Sequence, residues 1–367
     1  MFIKNMKKIL LVNFSISNGG DYLIEERMKK LFEYYFKYDT IYTINGYKTK
    51  EIDFNNYDVV ILGGGPYFDD RIVKELFIPL FDFDKIKIPV HLFGCGIYGN
   101  NCSKHAIFNK RFNSITLDFF NNIVKTGGTL GCRDVITYTV MKNNGLNNVY
   151  LTGCPAWFDI DNIDRDFSFV RNKSSVKRIA ISDPGLTKNQ DEQRTRALQT
   201  ISVIKKINTI FPDSAILFSF NNGIETKYSS ECNNIIFNYL KENNIEVVEL
   251  VNSAKLFSKY NNVDLHIGFR VHSHIYSLSK RIPSILIEED IRGFGMNETF
   301  GLPHLLSFDE NMMNKNTYSP NETLCLEIES LINYFDYTNY FSFQNVFSYL
   351  DYFFYNVLNK WFSVLIR

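Results

Sequence analysis

A strand that runs into a glycine-rich turn and then a helix, repeated along the chain, restricts the fold of this sequence more than any other feature. Lys8 to Phe14 reads as a buried parallel strand, Asn18 to Asp21 as the turn and Tyr22 to Tyr35 as the helix. Asp58 to Leu62 is a second strand, ending in Gly63-Gly64-Gly65-Pro66, and Pro89 to Phe93 a third, ending in Gly94-Cys95-Gly96. Gly128 to Cys132 precedes a helix over Val135 to Asn143, and Asn148 to Leu151 ends at Gly153-Cys154-Pro155. Strands alternating with helices imply a parallel, doubly wound sheet, because a parallel neighbour is reached only through a crossover.

The apolar periodicity fades through Asp159 to Ser175, where Asp161, Asp164, Arg165, Asp166, Arg171 and Lys173 crowd together, and this stretch reads as a linker. A second series follows, with strands at Arg178 to Ser182, Ala215 to Ser219, Glu246 to Glu249, Leu265 to Gly268 and Ser284 to Ile287. Helices are expected over Glu192 to Ile210, Ser230 to Asn243, Ser253 to Tyr260 and Ser273 to Lys280. At 367 residues the chain exceeds one ordinary core. The reading is therefore α/β, with two Rossmann-like doubly wound domains facing a cleft, over residues 1–160 and 176–333, and an aromatic helical tail over 334–367. Ligands in such sheets sit beyond the carboxyl ends of the strands.

Forty basic and forty acidic residues cancel, which argues against a nucleic-acid partner held by a global field. The six cysteines, Cys95, Cys102, Cys132, Cys154, Cys232 and Cys325, show no zinc-type spacing and read as buried free thiols of a reducing compartment. After the basic start only Ile9 to Val12 form an apolar run, too short for a secretory segment or a span, so a cytoplasmic location is expected.

Reactive side chains concentrate in Gly268-Phe269-Arg270-Val271-His272-Ser273-His274, between a strand and a helix. Arg270 offers a planar, permanently charged fork for a carboxylate or phosphate, and His272 titrates near neutrality. The plainer alternative has Arg270 pairing with a carboxylate and a histidine capping the helix. A second cluster at the next strand end, Glu288-Glu289-Asp290-Ile291-Arg292-Gly293, adds both charge signs. Asp290 and Arg292 either bind a ligand or brace each other. Asp82-Phe83-Asp84 lies in a Phe-rich segment and is set aside, Gly63-Gly64-Gly65 lacks dinucleotide spacing, and His266 reads as a core histidine.

These motifs, in this order, resemble the polysaccharide pyruvyl transferase family. Asn18-Gly19-Gly20-Asp21 resembles its Asn-x-Gly-Asp turn, and Asp58 to Gly65 its Asp-hydrophobic-Gly-Gly-Gly strand end. Gly94-Cys95-Gly96, Arg133 and Thr152-Gly153-Cys154-Pro155 follow in the family's order. Arg270-Val271-His272, Pro283-Ser284 and Asp290-Ile291-Arg292 are similar to its Arg-x-His to Asp-x-Arg region. One departure stands out: a basic residue is expected after the first strand of the second domain, and Ser182-Asp183-Pro184 stands there instead. Lys188, Arg194 and Arg196 are the nearby candidates to replace it.

The resemblance implies a glycosyltransferase-B-like fold, phosphoenolpyruvate as donor and co-substrate, no further cofactor and no metal, and a pyruvate ketal on a sugar of a surface polysaccharide or its precursor. Under it His272 and Arg270 are catalytic, and Arg270, Asp290, Arg292 and His274 contact the donor. Gly19, Gly20, Asp21, Gly64, Gly65 and Arg133 contact the acceptor, the amides of Gly19 and Gly20 facing an anion at a helix start. For the glycines a purely geometric role is the competing reading. Partners are then phosphoenolpyruvate and a sugar or lipid-linked oligosaccharide. The tail, with Tyr337, Phe343, Phe347, Phe353, Phe354, Trp361 and Phe362 at helical spacing, either packs back on the first domain or docks at the inner face of a membrane. Two other functions fit the same pattern: a nucleotide-sugar glycosyltransferase and a non-catalytic carbohydrate-binding protein.

Overall fold

A computed structural model describes residues 6–47, 52–99, 104–165, 172–309, 318–338 and 343–365. Cys102, Asp166 to Arg171 of the linker and Tyr340 and Phe341 of the tail lie outside the described residues. Two compact units form, one from Met1–Ile16, Asp21–Ile160 and Tyr352–Arg367, the other from Ser17–Gly20 and Asp161–Asp351.

The first unit is built on a six-stranded sheet of β1 (Lys8–Asn13), β2 (Thr40–Asn45), β3 (Val59–Phe68), β4 (Val90–Ile97), β5 (Leu130–Cys132) and β6 (Val149–Leu151), in the order β2-β1-β3-β4-β5-β6. Every pairing is parallel. Helix α1 (Gly19–Tyr35) follows β1, α2 (Ser114–Lys125) precedes β5, and α3 (Val135–Asn143) leads to β6. β1 beyond Lys8 and the whole of β4 are buried and mostly apolar, as a sheet covered on both faces requires. Edge strand β2 mixes polar and apolar residues and is at most half-buried, which hides it from a search for continuous apolar runs.

Two strands outrun their expected ends. β3 continues through Gly63-Gly64-Gly65 to Phe68, and β4 through Gly94-Cys95-Gly96 to Ile97, because the two pair with each other there, Gly63 with Phe93 and Gly65 with Cys95. The glycines of β3 serve close packing: a β-carbon on Gly63 would overlap the Met28 sulfur and one on Gly64, at φ +52°, the Ile24 side chain of α1. Arg27 of α1 makes a buried ion pair with Asp159, at 2.8 Å from Nη2 to Oδ2.

The aromatic tail divides. Helix α9 (Gln344–Tyr352) follows Phe343, whose ring meets Phe335 and Phe347, and this stretch up to Asp351 belongs to the second unit. From Tyr352 onward, including helix α10 (Asn359–Leu365), the chain belongs to the first unit. There Phe362 stacks on Tyr35 at 4.0 Å, Trp361 stacks on Phe93 at 4.7 Å, and the indole Nε1 donates to Thr129 Oγ1 at 3.0 Å. No helix among the described residues is long and apolar enough to cross a membrane.

The second unit carries a five-stranded parallel sheet of β7 (Arg178–Ser182), β8 (Ala215–Phe220), β9 (Glu246–Glu249), β10 (Leu265–Gly268) and β11 (Ser284–Leu286), ordered β11-β10-β7-β8-β9. Helices α4 (Gln190–Ile210), α5 (Ser230–Glu242), α6 (Val271–Ser279) and α7 (Ile291–Phe300) lie at the positions the strand spacing demands, and α8 (Leu324–Tyr337) comes after them. Asn189 and Asp290 cap α4 and α7 by accepting backbone N–H groups, and Gly301 ends α7 in the left-handed region. Ser253 to Tyr260, expected as an α-helix, is a 3₁₀-helix over Ala254–Tyr260. α7 escapes a search for apolar stripes because it carries two glycines and is nearly all buried.

The chain after α7 is pinned by a titratable clamp. His304 Nδ1 lies 2.8 Å from Glu288 Oε1, its Nε2 lies 3.0 Å from Glu298 Oε2, and its ring stacks on Phe294 at 4.2 Å. Burial alone would lower the His304 pKa, but the hydrogen bond and charge of Glu288, reinforced by Glu298, carry it above the ordinary histidine value. The stabilisation is therefore complete below the unfolded value of ~6.5 and is lost as pH rises through the higher folded value. Melting temperatures of the protein and of His304→Gln are expected to converge as pH is raised from about 6 to 9, which differential scanning calorimetry reads directly.

Candidate functional site

The carboxyl ends of β7, β10 and β11 hold the described charged cluster of the second unit. Arg270 is the last residue before α6, in extended backbone, and its amide donates to Ser182 Oγ at 3.1 Å. Its Nε donates to Asp183 Oδ1 at 2.8 Å and its Nη2 to Asp183 Oδ2 at 2.7 Å. Asp183 is fully buried and also accepts the Asn221 amide at 3.1 Å. Burial would lower the Arg270 pKa, yet Asp183 more than offsets it, so the guanidinium stays charged. The Arg–carboxylate pair that sequence left as one alternative is thus present, and its partner is the acid at the position where a basic residue was expected.

A second pair stands beside the first. Glu289, after β11, accepts the Gly185 amide at 2.6 Å and makes an ion pair with Arg196 of α4. Arg196 is held also by Glu192, at 2.6 Å, and lies over the Tyr318 ring. Burial pushes the Glu289 carboxyl up, against the pull of Arg196 and Arg270. Arg292 closes on Asp290 within one helical turn, Nε reaching Oδ1 at 3.0 Å and Oδ2 at 2.9 Å. Bracing is therefore the observed state of Asp290 and Arg292. Of the candidates to replace the missing base, Arg196 is engaged by two carboxylates and Lys188 lies over Tyr228.

His272 sits in the first turn of α6, half-buried, and Gly20 packs against its imidazole so closely that a β-carbon there would overlap the ring. The segment Ser17–Gly20 belongs to this unit: Asn18 bridges Val251, Gly19 N donates to Leu250 O at 3.0 Å, and Asn252 N donates to Ser17 O at 2.9 Å. Gly20 N donates to Asn18 Oδ1 at 2.7 Å. Both amides proposed from sequence to receive an anion are therefore already used, which corrects that expectation; the glycines serve close approach instead.

His274 is corrected as well. It is fully buried, with Nδ1 2.7 Å from Ser284 Oγ, and Ser284 Oγ lies 2.7 Å from His266 Nδ1, whose Nε2 reaches Ser182 Oγ at 3.0 Å. Burial lowers the His274 pKa to about 3 and holds that of His266 well below the usual histidine value, so both are neutral. This Ser–His–Ser–His chain ties β7, β10 and β11 together beneath Arg270. Alternation of polar and apolar residues on a strand hides such a network, since each member reads singly as a core polar residue.

The remaining acceptor candidates lie in the first unit. Asp21 lies in the first turn of α1, and burial, with a smaller contribution from the Asp21 charge, raises the Tyr47 pKa. Gly64 and Gly65 are in β3, both at positive φ. Arg133 follows β5, buried, with its guanidinium packed against Gly96, Nε on Asp134 Oδ2 at 3.1 Å and Nη2 buried without a hydrogen-bond partner. Asp134 also caps α3 through Thr137 N at 2.7 Å, so one carboxylate answers both the helix dipole and the cation beside it. The thiols of Cys95 and Cys154 close by are free and buried, and burial pushes them up to about 12 and about 11.

No curated protein matches the sequence. Among solved structures, the fold is similar to an S. aureus MnaA–UDP complex, at 11% identity over 99% of this chain and 98% of that one, with a TM-score of 0.58. It is likewise similar to a UDP-GlcNAc 2-epimerase from Neisseria meningitidis bound to UDP-GlcNAc, at 11% identity over 96% and 100% of the two chains, with a TM-score of 0.55. At such identity the likeness is one of fold, that of glycosyltransferase-B-like α/β proteins with two parallel sheets. The sequence profile described as polysaccharide pyruvyl transferase, by contrast, matches residues 18–291, a span that opens at the Asn18 turn, takes in every strand of both sheets except β1, and includes Arg270, His272 and Asp290. On that match over most of its length, the chain belongs to the polysaccharide pyruvyl transferase family.

Proposed function

We propose that this transferase moves a pyruvyl group from phosphoenolpyruvate to a sugar of a surface polysaccharide or its precursor, closing a ketal. The observation that carries the reading is the placement of Arg270 at the amino cap of α6 and His272 in its first turn, both inside the family match over residues 18–291. The amino end of α6 adds a favourable dipole for an anion at the same edge.

In the proposed reaction Arg270 holds the donor's carboxylate or phosphate by charge-assisted hydrogen bonds, and stabilises phosphate as it leaves. His272 delivers a proton to the methylene carbon while one sugar hydroxyl attacks the neighbouring carbon. The second hydroxyl then displaces phosphate, which departs with the electrons of its C–O bond. Of the two hydroxyl protons, one replaces that given by His272 and the other leaves on phosphate. Asp290 and Arg292 meet the donor only as a pair, and Asp21, Gly64, Gly65 and Arg133 are proposed acceptor contacts.

The test is phosphate release from phosphoenolpyruvate in the presence of free, nucleotide-linked and lipid-linked sugars, with the ketal methyl read by NMR. His272→Ala is expected to lower turnover about 10²–10⁴-fold, the usual range for a lost general acid, with donor binding retained. Gly20→Ala, which drives a methyl group into the His272 ring, is expected to lower turnover in the same way. Undiminished turnover in both variants would remove His272 from the mechanism.

A further inference from the structure

All three arginines of the β7–β10–β11 edge are matched by carboxylates: Arg270 by Asp183, Arg196 by Glu289 and Glu192, and Arg292 by Asp290. Net charge at this edge is therefore a weak attractant, and an anion has to be recognised by direction. A guanidinium has five N–H groups and two forked edges. Asp183 takes the side edge of Arg270, made by Nε and Nη2. The end edge, made by Nη1 and the second N–H of Nη2, is left: Nη1 makes no hydrogen bond among the described residues and is not among the atoms sealed from solvent.

We infer that Asp183 is a positioning residue, which fixes the guanidinium plane of Arg270 so that its end edge is presented to one planar carboxylate or one phosphate face of the ligand. The inference rests on the pyruvyl-transfer reading for the identity of that ligand. Three features support it. Asp183 is itself held, by the Asn221 amide, directly after the end of β7. Ser182, the residue before it, fixes the Arg270 amide and is backed by His266. Glu289 lies within electrostatic reach of Arg270, so an arginine released from Asp183 has a competing carboxylate to fall onto, and the edge is lost. An acid here therefore does for geometry what a second base would do for charge.

The experiment titrates phosphoenolpyruvate, and in a parallel arm a UDP-sugar, into full-length wild type, Asp183→Asn and Arg270→Lys by calorimetry, and follows the Arg270 Nε–H in arginine-¹⁵N-labelled protein by NMR. Asp183→Asn is expected to weaken phosphoenolpyruvate by at least about 10-fold, the scale of one charge-assisted hydrogen bond, and to lose the protected Nε–H signal. Arg270→Lys keeps the charge and the partner of Asp183 but has no forked edge, and is expected to show the same loss of affinity, which covers the case of an Asp183→Asn chain that does not fold. Equal or tighter binding in either variant overturns the inference while leaving pyruvyl transfer standing. If wild type ignores phosphoenolpyruvate and binds the UDP-sugar, pyruvyl transfer fails, and the positioning role is upheld by a 10-fold or greater loss of that ligand in Asp183→Asn and overturned by none. Binding of neither ligand to wild type overturns both.

Discussion

Arg270→Ala is expected to lose both activity and stability. Removing a preorganised donor that meets developing charge typically costs about 10²–10³ in rate, and in the proposed reaction the side chain also holds the donor, so kcat/KM should fall by at least that factor. The stability loss has a separate cause. Asp183 has no solvent exposure and pairs with Arg270 through both oxygens, so truncation leaves a buried carboxylate with only the Asn221 amide. Breaking a buried ion pair from one side costs about 3–5 kcal/mol, and for a unit of this size each kcal/mol lowers Tm by roughly 2–4 °C. Calorimetry of Arg270→Ala should therefore show a transition lowered by roughly 6–20 °C. Asp183→Asn,Arg270→Ala, which removes the orphaned charge, should recover part of that loss and none of the activity.

Trp361→Ala is the corresponding expectation for the first unit. The indole is 1% exposed, stacks on Phe93 of β4, and donates to Thr129 Oγ1, which also lies 2.9 Å from His91 Nδ1. Truncating a buried tryptophan costs about 3–5 kcal/mol, through lost burial and the cavity left behind. Trp361→Phe keeps most of the apolar contact and loses the hydrogen bond, so its cost should be about 1–2 kcal/mol. The two melting temperatures, measured by calorimetry, should fall in that order. A tail that merely lay on the surface would show neither change.

The parallel sheets were legible because buried strands such as β1, β4 and β7 are written mostly in apolar residues, and because parallel neighbours are joined by crossovers of one hand. Strands that depart from that pattern were not: β2 is an edge, and the extensions of β3 and β4 run through glycines, whose tolerance of pairing a sequence does not disclose. The placement of Arg270 and His272 followed from a strand end and a helix start. Their partners did not. Asp183 lies 87 residues from Arg270 and was visible only as an acid in place of a base. Glu289 and Arg196 meet across 93 residues, and Ser284 joins His266 to His274 through side chains that each look ordinary alone. Gly19 and Gly20 show the opposite error, since glycines at a helix start suit anion binding and close packing equally well, and only the hydrogen bonds to Leu250 and Asn18 separate the two.

The central claim is that the β7–β10–β11 edge of the second unit receives phosphoenolpyruvate on Arg270. Isothermal titration of phosphoenolpyruvate into the full-length protein, with Arg270→Lys as the folded control and UDP- and CMP-sugars as rival ligands, tests it most directly. The account predicts saturable binding of phosphoenolpyruvate that is at least about 10-fold weaker in the variant. Saturable binding of a nucleotide sugar with no response to phosphoenolpyruvate would contradict it, leaving the two-sheet fold and the family in place and the donor to be sought among nucleotide sugars.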